Sequence, residues 1–147
     1  MTEIPSLDRA FQTTRSWLKE LAQELQWLNE RKVYAALRAV LHALRDRLTL
    51  EESAHFGAQL PTFIRGIYYE GWRHGPRRLR NRSKEAFLQE IDQALLTMRT
   101  SVDSEYVTQV IFGFLSRKIA AGELSDVRGQ LPKAIRTLWP ESTRKVA

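Results

Sequence analysis

QLPTFIR at residues 59–65 returns as QLPKAIR at residues 130–136, a displacement of 71 residues. The apolar positions before these stretches match at the same displacement, as when Val40 aligns with Ile111. An internal repeat of this kind constrains the architecture before any single helix or strand is assigned. We therefore predict two related modules. Residues without a counterpart in the other module become the better candidates for function.

Apolar residues recur at helical spacing along most of both modules. This periodicity predicts eight helices, over about residues 6–25, 30–48, 50–59, 61–71, 84–98, 107–119, 123–130 and 132–139. No stretch shows the sustained polar–apolar alternation and β-branched bias of a strand. The prediction is an all-α protein with two tandem related modules of about four helices each, packed as one compact unit.

A few positions carry more specific expectations. Phe11 is placed on the core-facing stripe of the first helix. Thr49 and Glu52 fit a capping box, in which the Thr49 hydroxyl accepts from the Glu52 N–H and the Glu52 carboxylate accepts from the Thr49 N–H. Ser83 is the predicted N-cap of the fifth helix. Pro61 is predicted to open the fourth helix, because proline suits the first turn. The alternative is one helix that continues from the third and is kinked at Pro61.

The net charge of +6 is concentrated between the two modules. Residues 1–72 contain nine Lys/Arg and nine Asp/Glu, and residues 85–147 contain eight of each. All of the excess lies in residues 73–84, which contain six basic residues and no acidic one. The predicted organisation is a first repeat over 1–72, an Arg-rich connector over 73–84, and a second repeat with a short polar tail over 85–147.

The composition excludes several classes of function. The chain has no cysteine, which excludes disulfides, thiol catalysis and cysteine metal sites. No apolar run approaches the roughly 20 residues of a membrane span, and no secretory signal is visible, so a cytoplasmic location is expected. The three histidines and the scattered carboxylates form no metal or catalytic motif. We predict no cofactor, no metal and no enzymatic activity.

Three stretches together resemble a known family. They are VLHALRDRL at residues 40–48, RGIYYEGW at residues 65–72 and DVRGQLP at residues 126–132. The chain is similar over about residues 11–139 to the bacterial family called domain of unknown function 2267. The resemblance implies a soluble, helical, twice-repeated bacterial protein. It implies no activity and identifies no catalytic residue.

The candidate binding site is an aromatic and basic segment at the end of the first module. Arg65, Tyr69 and Trp72 stand at i, i+4 and i+7 on one helix face. Tyr69 and Trp72 have no equivalent aromatic in the second module and lead directly into the connector. Guanidinium groups beside aromatic rings can bind phosphates and stack on bases. The candidate anion- or partner-binding residues are Arg65, Tyr69, Trp72, Arg73, Arg77, Arg78, Arg80 and Arg82.

A structural interpretation competes with this one at each position. Trp72 can pack between the modules, and an arginine-rich loop is usually solvated. Arg65 recurs as Arg136, which favours a role in the fold. That role is an ion pair, with Glu52 or Glu123 as possible partners, or a bond to exposed carbonyls at a helix end.

The leading functional prediction is a non-enzymatic binding or adaptor protein, acting through helical surfaces on a protein partner or on itself. Trp17 and Trp27 are relevant to it, because one or both could be incompletely buried, although burial of both against the core is the stronger expectation. The alternative is a module that binds nucleic acid or another polyanion through the connector. Strong salt dependence distinguishes the second prediction from the first.

Overall fold

The computed structural model describes residues 2–73, 82–96 and 102–140. Within these ranges the chain forms eight α-helices and no strand, which confirms the all-α prediction. The helices are α1 (Pro5–Leu25), α2 (Glu30–Arg45), α3 (Leu50–Ala58), α4 (Thr62–Tyr69), α5 (Lys84–Leu96), α6 (Ser104–Lys118), α7 (Ala121–Gln130) and α8 (Lys133–Arg136).

Helix α2 lies at the centre of the fold. It packs against α1, α4, α5 and α6, and its most extensive contact is with α5. Its apolar and small residues allow this, because Val33, Leu37, Val40 and Leu44 are completely or almost completely buried. Residues before and after the connector therefore contribute to one continuous hydrophobic core.

Side-chain caps define the starts of several helices. The Asn29 side chain accepts from the backbone N–H groups at the start of α2. Ser83 accepts from the N–H of Ala86 at 3.0 Å, as predicted. Pro61 is the N-cap of α4 rather than its first residue. Its missing N–H costs nothing at that position, because the first N–H groups of a helix have no partner within the helix.

The capping box is correct in one half only. The Thr49 hydroxyl accepts from the N–H of Glu52 at 3.1 Å. The Thr49 N–H, however, donates to the Gln130 side chain at 3.1 Å and not to Glu52. The Glu52 carboxyl group turns towards α7 instead, because α3 and α7 pack together and bring a second acidic residue opposite it.

The placement of Phe11 in the core was wrong. Its side chain is 55% exposed, whereas Leu18 on the same stripe of α1 is 9% exposed. Burial along α1 begins only at Trp17. The stripe is apolar both before and after Trp17, but only the part from Trp17 onward faces the core.

Trp17 and Trp27 differ in burial. Trp17 is buried and meets Phe114 edge-on, with ring centroids 5.3 Å apart. Trp27 is half-buried against the core, and the Lys32 ammonium lies 4.1 Å from its ring centroid. Trp17 is therefore buried against the core as expected, whereas Trp27 is incompletely buried, which is the weaker of the two expectations.

No helix in the three described ranges is both long enough and apolar enough to cross a membrane.

Candidate binding surfaces

Side chains of α2 hold the C-terminal end of α4, where the candidate segment begins. His42 Nε2 lies 2.7 Å from the Ile67 carbonyl oxygen. Arg45 donates from Nη1 to the carbonyl oxygens of Tyr68 and Glu70, at 2.8 and 2.7 Å. These bonds satisfy carbonyls that the end of a helix leaves without partners. The path of the chain into the connector is therefore determined by α2.

His42 and Tyr68 are both shifted away from their ordinary titration range by this packing. Burial lowers the pKa of His42 below 6.5, because the protonated ring would lose water. Burial also raises the pKa of Tyr68, whose hydroxyl donates to the Ser53 carbonyl oxygen at 2.8 Å. Both groups are engaged with backbone carbonyls inside the fold.

Arg65 binds the C-terminal end of α3. Its Nε and Nη2 atoms donate to the Leu60 carbonyl oxygen at 3.2 and 2.9 Å, and Nη2 also reaches that of Ala58 at 3.3 Å. Arg136 makes the corresponding bond to Leu131 at 2.9 Å. The geometry agrees with the helix-end carbonyl interpretation of this arginine pair rather than with an ion pair.

Tyr69 packs over Gly57 on the same end of α3. A Cβ atom at Gly57 would lie 2.4 Å from the Tyr69 hydroxyl oxygen, so the absence of a side chain there is what admits the ring. The Tyr69 ring lies between those of Tyr68 and Trp72, with a centroid separation of 5.0 Å on each side. Tyr69 and Trp72 are half-buried. The aromatic part of the candidate site is thus a stack that extends outward from the core.

The basic part of the candidate site is only partly described. Arg73 is exposed immediately after Trp72. Arg77, Arg78 and Arg80 lie outside the described residues. Arg82 is half-buried and donates to the carbonyl oxygens of Arg47 and Gln130, at 2.9 and 2.5 Å. The structure therefore places Arg65 and Tyr69 against the C-terminal end of α3, Trp72 and Arg73 just after α4, and Arg82 in internal contacts.

Replacing Arg82 by alanine is expected to lower the free energy of unfolding by about 2 kcal/mol, because two charge-assisted hydrogen bonds would be lost. These bonds connect the α2–α3 turn to the end of α7. Urea denaturation would measure the change. Arg73→Ala is the matched control, and as an exposed substitution it should stay within about 0.5 kcal/mol of the wild type. Equal effects of the two variants would contradict this assignment.

A pair of carboxyl groups lies where α3 meets α7. Glu52 is only 6% exposed, and it faces Glu123. The Oε2 atoms of both residues are buried without a hydrogen-bond partner among the described residues. Burial raises the pKa of Glu52 to about 8, helped by the hydrogen bond with Glu123 and by the charges of Glu123, Asp126 and Glu51. The Glu52 carboxyl group therefore favours its protonated form up to about that pH.

Sequence reasoning missed this pair, although the two residues align at the displacement of 71. They were considered as partners of Arg65 and Arg136, because arginine is the usual partner of a partly buried carboxylate. Their mutual contact depends on how α3 and α7 approach each other, which no local pattern encodes.

Sequence reasoning also missed an exposed apolar stripe on α1. Ile4, Leu7 and Phe11 follow one another at helical spacing and are 52%, 46% and 55% exposed. We call these three residues the α1 stripe. They continue the line of Leu18, which is buried. The sequence does show that the apolar face of the first helix is long, and in the structure this face extends beyond the core.

Residues 14–138 match the model of a protein family described as "Uncharacterized conserved protein (DUF2267)". The match covers most of the chain and includes all of the helices except the first part of α1. Among curated proteins, none matches the chain.

Proposed function

This chain belongs to the DUF2267 family, and we propose that it is a non-enzymatic binding protein that acts through a helical surface on a protein partner or on itself. The observation that carries the proposal is the α1 stripe. Large apolar side chains at successive turns of a surface helix are the usual means by which helices bind other helices. The stripe lies on a regular helix, so its spacing suits a second helix.

The titration shifts support a binding role rather than a catalytic one. Among the residues that the structure describes, the groups concerned are His42, Glu52 and Tyr68, and each is directed at another group of the fold. Catalytic groups are typically found with shifted pKa values in a cleft where a substrate can reach them. Here the shifts follow from packing between helices.

We also infer that the two halves arose as related modules. The sequence match at a displacement of 71 is supported by equivalent local structure. Pro61 and Pro132 are the N-caps of α4 and α8. Arg65 and Arg136 each donate to the carbonyl oxygen of the residue five positions earlier. A duplicated module would repeat such fold requirements, and it would leave the α1 stripe and the connector free to differ.

Polyanion binding through the connector is the second candidate. It is favoured by the concentration of the whole net charge of +6 in residues 73–84 and by the exposed Arg73 beside the aromatic stack. Arg65 and Arg82 already bind backbone carbonyls, which leaves Arg73, Arg77, Arg78 and Arg80 as the arginines of this candidate site. About four phosphate contacts would give a log–log salt slope near −3 to −4.

In affinity capture with nuclease treatment, the wild type is expected to retain a bound protein at high salt. The Leu7→Lys variant is expected to lose that protein. The control is Leu28→Lys, which changes an equally large and fully exposed apolar residue in the loop between α1 and α2. Loss of the captured material on nuclease treatment, with the expected salt slope on DNA or RNA, would support the second candidate instead. Capture that neither the stripe substitution nor the nuclease affects would contradict both.

A further inference from the structure

The first half of α1 contains no buried residue. None of residues 2–16 is buried, whereas Trp17, Leu18, Leu21 and Leu25 all are. The twelve helical residues from Pro5 to Ser16 span roughly 18 Å at 1.5 Å per residue. This half continues a helix that is packed further along, and Arg15 reaches Glu30, but its large apolar side chains stay at the surface. The α1 stripe is therefore available to bind a partner.

We propose that the α1 stripe binds the α1 stripe of a second copy of this chain, with the two helices antiparallel. The inference rests on the proposed function and identifies its partner. It is argued from the distribution of charge along the helix, which is complementary to itself when one copy is reversed.

Asp8 and Arg15 supply that complementarity. They are seven residues apart, which is about two helical turns, so they lie on the same flank of the stripe. Phe11 stands midway between them on the stripe itself. A two-fold axis near Phe11 reverses the helix and brings each Asp8 beside Arg15 of the other copy. Two opposite-charge pairs then border the apolar contact, and no like charges meet at these positions.

The remaining contacts suit the same arrangement. Phe11 lies against Phe11 of the other copy at the axis. Ile4 lies at the same height along the helix as Leu18 of the other copy, where that copy's α1 becomes buried. A shallow, open depression runs along the helix from Phe11 to Gln23, on the flank that carries Arg15. All of its lining residues belong to α1, so this flank is open to the other copy's α1. Arg15 keeps a second contact, because its Nη1 lies 2.8 Å from Glu30 Oε1.

The interface is small. Two helices in contact over roughly 18 Å bury less surface than a standard stable complex, so self-association is expected to be weak and concentration-dependent. The apolar centre should make association persist in high salt, while the flanking pairs should add a modest salt dependence.

Sedimentation equilibrium over a concentration series is expected to show the wild type moving from its monomer mass of 17.1 kDa to about twice that value. Phe11→Ser and Leu7→Lys should remain monomeric at the highest concentration. Both change exposed residues, so the fold should be retained, and circular dichroism would verify this. Leu28→Lys is the control and should associate like the wild type.

Charge reversal tests the antiparallel arrangement. Asp8→Arg alone and Arg15→Asp alone should each weaken self-association at least about tenfold, because each homodimer would contain two like-charge pairs. An equimolar mixture of the two variants should associate as tightly as the wild type, since both contacts would then pair an arginine with an aspartate. In a parallel dimer Asp8 would face Asp8 and Arg15 would face Arg15, so neither single reversal would add a like-charge pair. Unchanged self-association of both single variants would therefore overturn the antiparallel arrangement.

A wild type that stays at 17.1 kDa throughout the series would overturn self-association altogether. The proposed function has its own test, because a different protein captured through Leu7 would still support it. Failure to self-associate would therefore contradict only the dimer, whereas failure to capture a protein through the α1 stripe would contradict the proposed function.

Discussion

Replacing Glu52 by glutamine is expected to stabilise the protein at pH 8 by about 3 kcal/mol and to leave its stability at pH 5 nearly unchanged. Glu52 is buried opposite Glu123, and its pKa is raised from 4.5 to about 8. The glutamine side chain keeps a donor for Glu123 and carries no charge. It therefore reproduces the protonated pair at every pH.

The direction follows from proton binding. In the unfolded chain Glu52 loses its proton near 4.5, whereas in the folded protein it keeps the proton to about 8. Between these values the folded state binds more protons than the unfolded state, so its stability falls as the pH rises. The contribution is complete below 4.5 and is lost as the pH passes about 8.

His42 contributes a slope of opposite sign and must be separated from this effect. Its pKa is lowered by burial, so its contribution is present above 6.5 and is lost as the pH falls below that value. Comparing the wild type with Glu52→Gln cancels the contribution of His42 to the pH dependence of stability, because both proteins contain His42. The difference between their unfolding free energies isolates the carboxyl pair.

Urea denaturation at pH 5, 6, 7 and 8 would measure the effect. Glu123→Gln should also weaken the pH dependence, because it removes a neighbouring charge that helps to raise the pKa of Glu52. Glu51→Gln is the matched control, since it removes the same charge from the same helix at an exposed position. It should change the stability by no more than about 0.5 kcal/mol. The assignment fails if Glu52→Gln retains the pH dependence of the wild type.

Replacing Arg45 by alanine is expected to lower the free energy of unfolding by about 4 kcal/mol, which corresponds to roughly 10 °C in Tm for a chain of this size. Arg45 is 5% exposed. It forms a two-point ion pair with Asp46 and donates to the carbonyl oxygens of Tyr68 and Glu70. Without the Arg45 guanidinium group, the Asp46 carboxylate and the carbonyl oxygens of Tyr68 and Glu70 would all lose a buried hydrogen-bond donor.

Arg38→Ala is the matched control for this substitution. Arg38 lies on the same helix and binds the same residue, because its Nε lies 2.6 Å from Glu70 Oε1. Both side chains of that pair are nearly half exposed, so its loss should cost less than about 1 kcal/mol. Arg45→Lys should fall between the two, because lysine cannot reproduce the planar fork. Similar losses for Arg38→Ala and Arg45→Ala would show that burial does not decide their contributions.

The helices of this protein follow from short-range patterns. Periodic leucines and valines predict α2, and Pro61 and Ser83 mark starts of α4 and α5 that the structure confirms to within a residue. These signals are local because a helix satisfies its own backbone, and its caps involve residues only a few positions away. The candidate segment was likewise visible as Tyr69 and Trp72 leading into basic residues. The aromatic stack against Gly57 was not visible, since it depends on how α4 meets α3.

The amino-acid sequence alone determined that the chain is helical, where most of its helices begin, and that its net charge lies in one connector. Tertiary structure decided which apolar and acidic residues are buried. Phe11 and Leu18 belong to one stripe, yet only Leu18 has neighbouring helices over it. Glu52 is an ordinary helix-start residue in sequence, and it becomes a proton-binding group only because α7 places Glu123 against it. Burial and proton affinity depend on distances between residues far apart in the chain, and periodicity does not carry those distances.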